Sequence, residues 1–144
     1  MTRKHTILII DDTMTTIELI HSLLGEECNI LFATSGPEGI DLALKCNPDL
    51  ILLDVMMPGM DGYEVCRELK KNALTMAIPV IFITVLDHQD EEEAGLEAGA
   101  IDYITKPFHN ASFKAKIHNY LTLKELLAKN KSQIISLDFE NDWF

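Results

Sequence analysis

Asp11, Asp12, Asp54, Thr84 and Lys106 are the residues of this chain whose types and placing could do chemistry together. Each stands at or just past the end of a short apolar run, Ile7 to Ile10, Leu50 to Leu53, Val80 to Ile83 or Ala100 to Ile104. Two like charges about 4 Å apart repel by about 4 kcal/mol at an effective dielectric of about 20, so three clustered carboxylates require a cation. Oxygen donors without His or Cys suit a hard ion. Mg²⁺ fits an open rim better than Ca²⁺, because it keeps waters and takes only one or two protein carboxylates plus a phosphoryl oxygen. Asp54 is then a candidate nucleophile toward phosphorus, with Lys106 as a point charge and Thr84 as a hydroxyl donor for the transferring group.

The elements that must position these groups follow from the periodicity. Residues 50 to 53 are aliphatic without alternation, as in a strand covered on both faces of a parallel sheet, and Pro58, Gly59 and Gly62 break regular structure after it. Further strands are expected over Ile7–Ile10, Asn29–Thr34, Val80–Thr84 and Ala100–Ile104. Thr13 is placed to cap a helix carrying Met14, Ile17, Ile20, Leu23 and Leu24 inward and closed by Gly25. Ser35-Gly36-Pro37 is read as a turn leading into a short helix over Gly39–Lys45. Tyr63–Ala73 should be helical with Val65, Cys66 and Leu69 inward. Gln89–Ala98 reads as an acidic helix held loosely by Ala94, Leu96 and Ala98. A last helix starts near His109-Asn110 and runs past Leu121.

Strands alternating with helices specify a five-stranded parallel sheet with helices on both faces, its sites at the carboxyl edge. Beyond that unit, Tyr120, Leu123, Leu127, Asn130, Ile134 and Leu137 form a heptad seam less than three repeats long, which fits either a coiled segment or a helix continuing along its own domain. Leu137 to Phe144 mixes aromatics with acids and reads as a docking tail or as the start of a longer protein's next segment. The division expected is 1–121 for the domain and 122–144 for a helical extension, linker and tail.

A net charge of −11 argues against holding nucleic acid by its phosphates or lying on an anionic membrane. Cys28, Cys46 and Cys66 form no C-x-x-C pair, so neither a disulfide framework nor a zinc site is indicated, and a reducing, cytoplasmic setting fits. The apolar runs are too short for a signal segment or a membrane span. His5, His21, His88, His109 and His118 lack ligand spacing.

With Asp11-Asp12 after an apolar strand, Asp54-x-x-Met57-Pro58-x-Met60-Asp61-Gly62, Thr84 at a strand end and Lys106-Pro107-Phe108, the chain resembles a response-regulator receiver domain of bacterial two-component signalling over roughly residues 5 to 121. The resemblance implies the flavodoxin-like receiver fold with an extended C-terminal helix. It implies that Asp54 accepts a phosphoryl group from a histidine kinase or phosphotransfer protein, the domain being a regulatory phosphoacceptor rather than an enzyme. It further implies Mg²⁺ held by Asp12, Asp54 and the Met56 backbone carbonyl, with Asp11 acting through water. Thr84 and Lys106 would bind phosphoryl oxygens, the Lys106-Pro107 peptide would be cis, and Thr84 and Tyr103 would move as a coupled switch. The switched face would be the fourth helix, fifth strand and fifth helix, read by an output domain or downstream protein. A homodimer whose association responds to phosphorylation is the favoured assembly. Val85, where the family usually has a small residue, and the uncharged Met56 both point to slow loss of phosphate.

Blander readings exist for individual residues. Asp54 alone could cap a loop, Lys106 could be a surface charge, and Tyr103 fits the core as well as a switch on strand pattern. The acids from Asp87 to Glu93 are by default a solvated helix face, and Asp61-Gly62 a turn and helix start. Among rival functions, a haloacid-dehalogenase-type phosphatase wants a second acid where Met56 stands. A flavin carrier wants a Ser, Thr and Gly phosphate loop where Asp11-Asp12 stand. A scaffold without chemistry would leave Asp54 unmodified.

Overall fold

The structure, a computed structural model, describes residues 4–85 and 89–141, with side chains at 89, 90 and 130–141 outside the description. Its elements, in chain order, are β1 (His5–Ile10), α1 (Met14–Leu24), β2 (Cys28–Ala33), α2 (Gly36–Cys46), β3 (Leu50–Leu53), α3 (Gly62–Lys71), β4 (Val80–Thr84), α4 (Gln89–Glu97), β5 (Asp102–Thr105) and α5 (Asn110–Asn141). The chain divides into two compact units, Met1–His109 and Asn110–Phe144.

In the first unit all strands pair in parallel, in the order β2-β1-β3-β4-β5. Parallel neighbours need crossovers, and these are right-handed, so the reversal of direction at β1 puts α1 on one face and α2, α3 and α4 on the other. The apolar runs are continuous because both faces are covered. Leu8, Ile10, Ile51, Leu53, Val80 and Phe82 lie in one core cluster with Ala43, Val65, Cys66, Leu69 and Ala98 from the helices. Ile7, Ile9, Leu50, Leu52, Ile81 and Ile83, the alternate residues of the same strands, are buried as well. Full burial of each such side chain is worth about 1.5–3 kcal/mol, which makes the strand registers costly to slip.

Several local expectations change. Thr13 occupies the N-cap position of α1 but its side chain makes no cap bond, because its hydroxyl goes to Asp11 instead. Met14 is exposed, so α1 is held by Ile17, Ile20 and Leu24. The second helix is longer than expected. Ser35 caps it by accepting from the Glu38 amide at 3.4 Å, Pro37 fits its first turn, and Asn47 ends it in the left-handed region at φ 46°. On α4, Leu96 is 52% exposed; Gly95 is the buried residue among those described, and the small Ala98 is buried just past the helix.

In the second unit, α5 is a 32-residue helix with Phe113, Ile117 and Leu121 buried at a stride of four. Leu123, Leu126 and Leu127 are exposed. Asn130, Ile134 and Leu137 of the heptad seam lie outside the described side chains, as do Asp87 and His88.

Candidate functional site

β1 and β3 are the central neighbours at which the strand order reverses, and the crevice past their carboxyl ends is where an open sheet of this kind builds a site. Backbone bonds extend the ladders into that crevice. The Asp11 amide donates to the Ala33 carbonyl at 3.1 Å, the Asp54 amide to the Ile10 carbonyl at 2.9 Å, and the Lys106 amide to the Thr84 carbonyl at 2.7 Å. Three reactive residues are thus held as strand continuations rather than as free loop positions. Beneath Asp54 the turn closes with the Gly62 amide donating to the Val55 carbonyl at 2.9 Å. A Cβ on Gly62 would collide with the Asp54 carbonyl oxygen, so the site's supporting turn has room only for glycine.

Carboxylate oxygens of Asp11, Asp12 and Asp54 converge to within 4.8 Å of one another. Asp11 and Asp54 are buried and Asp12 is exposed. Lys106 Nζ lies 3.0 Å from Asp11 Oδ2 and 3.7 Å from Asp54 Oδ2, and it donates to Thr16 Oγ1 at 3.2 Å. The other oxygen of Asp11 accepts from the Thr13 amide at 2.9 Å and the Thr13 hydroxyl at 2.6 Å. Asp54 Oδ1 accepts from the Met56 amide at 3.3 Å, and the Thr84 side chain lies near enough to the Asp54 carboxyl to favour its charged form. Burial, and then the charge of Asp11, push the Asp54 carboxyl above the usual carboxylate range, against the pull of Lys106, the Met56 amide and Thr84.

This donor set fits a hard divalent ion. It is all oxygen, it carries more acid than one lysine offsets, and the exposed Asp12 leaves one side open to water or to a bound oxyanion. Asp11, Asp12 and Asp54 are the residues that would hold it.

Thr84, fully buried at the end of β4, and Lys106 therefore join the three acids at one edge. The Lys106-Pro107 peptide is cis. The Met56 side chain is exposed, as is that of Val85 at 61%. Tyr103 stands apart from the acids, half-buried on β5, its ring 6.2 Å from that of Phe82.

Three residues escaped the sequence reading. Thr13 and Thr16, one turn apart at the start of α1, tie Asp11 and Lys106 to that helix. Their i, i+3 spacing after two acids was the available signal. Tyr63 is the third, reaching α4 from the start of α3, and only its unusual size for a first-turn residue hinted at a distant partner.

Comparison with known proteins is consistent along most of the chain. A family profile described as response regulator receiver domain matches residues 7–118. Response regulator PleD of Caulobacter vibrioides is 41% identical over 119 residues, covering 82% of this chain and 26% of that protein. The chain thus spans about a quarter of the length of the curated relatives it matches first. The receiver domain of a sensor histidine kinase from Pseudomonas aeruginosa, solved with a magnesium ion coordinated in its active site cleft, is 26% identical with a TM-score of 0.76 over 83% of this chain and 99% of that one. The BeF3-activated DrrB receiver domain is 28% identical with a TM-score of 0.75, again over 83% of this chain and 99% of that one.

Proposed function

The chain belongs to the response regulator receiver domain family, a family of regulatory signalling domains, and on that premise we propose that Asp54 is its phosphoacceptor. The observation that carries this reading is the convergence of Asp11, Asp12 and Asp54 beside Lys106 and Thr84 at the β1/β3 crevice. An Asp54 oxygen attacks the phosphorus of a phosphohistidine on a histidine kinase or phosphotransfer protein. The new O–P bond forms as the N–P bond breaks, and the imidazole leaves with a proton. Asp12, Asp54 and the Met56 carbonyl, with Asp11 through water, would hold Mg²⁺, which when bound would offset charge on the transferring oxygens. Lys106 moves from Asp11 toward the phosphoryl oxygens, and the Thr84 hydroxyl donates to another.

The signal leaves through Thr84 and Tyr103 to α4 and β5, a surface read by an output domain or a downstream protein. Residues 122–144 form a helical extension or linker and tail, and the exposed Leu123, Leu126 and Leu127 support pairing with a second copy. The domain works in the cytoplasm and makes no direct contact with nucleic acid, as its acidic balance favours.

The test is incubation with acetyl phosphate and Mg²⁺ followed by intact-mass measurement. A phosphoryl adduct on the wild type that is missing from Asp54→Asn supports the reading. An unmodified wild type that nevertheless binds Mg²⁺ turns it toward a scaffold.

A further inference from the structure

Tyr63, the second residue of α3, sends its hydroxyl to the first turn of α4, where Glu91 Oε2 lies at 2.7 Å and the Glu91 carbonyl oxygen at 3.1 Å. The Tyr103 phenol lies near the same group. The rings are stacked around one side chain. Phe82, with no exposed surface, meets Tyr63 edge-on at 5.3 Å and Tyr103 at 6.2 Å. α4 rests directly on this cluster through Gly95, where a Cβ would come within 2.9 Å of Phe82 Cδ2 and 3.2 Å of Tyr103 Cδ2.

The contact matters because, among its described residues, α4 has little else to hold it. Gly95 has no side chain to bury, Ala98 just past the helix adds one methyl to the core, and Leu96 is exposed. A half-buried phenol donating to a carboxylate is a charge-assisted bond, stronger than a neutral one. Burial, and then the bond to Glu91, push the Tyr63 phenol far above its ordinary value, so it remains a donor at any physiological pH. The same strand that carries Phe82 carries Thr84 two residues on, and Thr84 stands near the Asp54 carboxyl in the structure in which the Phe82 ring packs against both Tyr63 and Tyr103.

We propose that Tyr63 is a positioning residue of the switch, its hydroxyl pinning Glu91 and so holding α4 over the Phe82 and Tyr103 rings in the arrangement that goes with Thr84 beside Asp54. This deepens the phosphoacceptor reading and rests on it. A ligand on the Asp54 carboxylate that recruits Thr84 then favours the pinned arrangement, and by reciprocity the pin favours the ligand. Removing the Tyr63 hydroxyl leaves the ring on Phe82 and takes away only that preference.

The experiment is calorimetric titration of Mg²⁺-loaded protein with beryllofluoride, a phosphoryl mimic, for the wild type, Tyr63→Phe, Glu91→Ala and the double variant, with urea unfolding of each. Tyr63→Phe should bind about five- to tenfold more weakly, the lower end of the usual coupling between two sites, since only part of the bond's strength depends on the ligand. Glu91→Ala should show the same loss, and the double variant no more than either single one. Unchanged or tighter binding by Tyr63→Phe, with or without lost stability, overturns the proposal and leaves the phosphoacceptor reading intact. So do additive losses. If Tyr63→Phe does not fold, Glu91→Gln and Glu91→Ala carry the test, and normal affinity in both overturns it. A wild type that binds beryllofluoride no better than Asp54→Asn overturns the phosphoacceptor reading and this proposal together.

Discussion

Lys106 Nζ stands closer to Asp11, at 3.0 Å, than to Asp54, at 3.7 Å. The lysine is therefore occupied with the residue proposed to help bind the metal, and ammonium and metal compete for one carboxylate. Replacing Lys106 by Ala removes a repelling cation from the metal site, so Mg²⁺ affinity should rise severalfold while beryllofluoride affinity falls by at least about tenfold. Calorimetry with each ligand checks the two signs separately. A fall in both affinities would show that Lys106 supports the metal site instead.

Asp11→Asn should act the opposite way on the metal. It removes one of the two buried charges of the cluster but keeps the shape, and the Thr13 bonds to one oxygen can persist. Mg²⁺ binding should weaken by about tenfold or more, equivalent to about 1.4 kcal/mol. Chelation with EDTA should likewise stop labelling of the wild type by acetyl phosphate. Labelling that continues at full rate in EDTA would remove the metal from the proposal.

Gly62→Ala tests the turn under the acceptor. The added methyl runs into the Asp54 carbonyl and lies 2.8 Å from the Val55 Cα, both backbone groups that cannot rotate aside. Urea unfolding should show a loss of about 3 kcal/mol, the upper range for overpacking. Asp54 labelling should slow as well, because relief of the clash requires moving the Asp54 peptide. A variant as stable as the wild type would mean the turn has slack that these distances deny it.

Cys66 sets a pH dependence. Burial holds its thiol at about 11 in the folded protein, against 9.0 for an ordinary thiol. The folded state therefore keeps a proton that the unfolded state releases, so this contribution is complete below pH 9.0 and is lost as pH rises through about 11. Lys70, whose pKa is lowered by burial, contributes with the opposite sign and is present in both proteins compared. Between pH 8.5 and 11, wild type should lose about 2–3 kcal/mol more than Cys66→Ala in urea titrations. Equal losses would place the thiolate within reach of solvent.

Val85 follows the proposed hydroxyl donor directly and is largely exposed. On the proposed reading its branched side chain would restrict the approach of water to a group on Asp54 more than a methyl does. Hydrolysis of the phosphorylated protein, followed by intact mass after removal of acetyl phosphate, should be severalfold faster in Val85→Ala. A rate no faster than wild type would place the control of lifetime elsewhere.

The five-stranded parallel sheet was legible in the sequence because parallel strands covered on both faces leave unbroken aliphatic runs, and Leu50–Leu53 is an unambiguous example. The acids and Lys106 could be listed from sequence because each ends such a run. What could not be read was how polar side chains distribute among themselves. Thr13 carries the signature of a helix cap, and that signature outweighs the two acids just before it, one of which takes its hydroxyl. Leu96 has the hydrophobicity of an anchor, yet α4 turns it outward and sets Gly95 on the rings of Phe82 and Tyr103. The Tyr63 bond to Glu91 joins residues 28 positions apart through a packing geometry that no periodicity encodes.

The bond between Lys106 and Asp11 spans 95 residues. A ribosome delivers the acids first and the lysine last. A nascent chain that has emerged as far as β4 already carries Asp11, Asp12 and Asp54 but no Lys106 to balance them. Until β5 docks beside β4, the Thr13 and Met56 donors and counterions from the surrounding solution must relieve the repulsion among those acids without a lysine, so ions present during synthesis bear on how readily the half-made sheet closes.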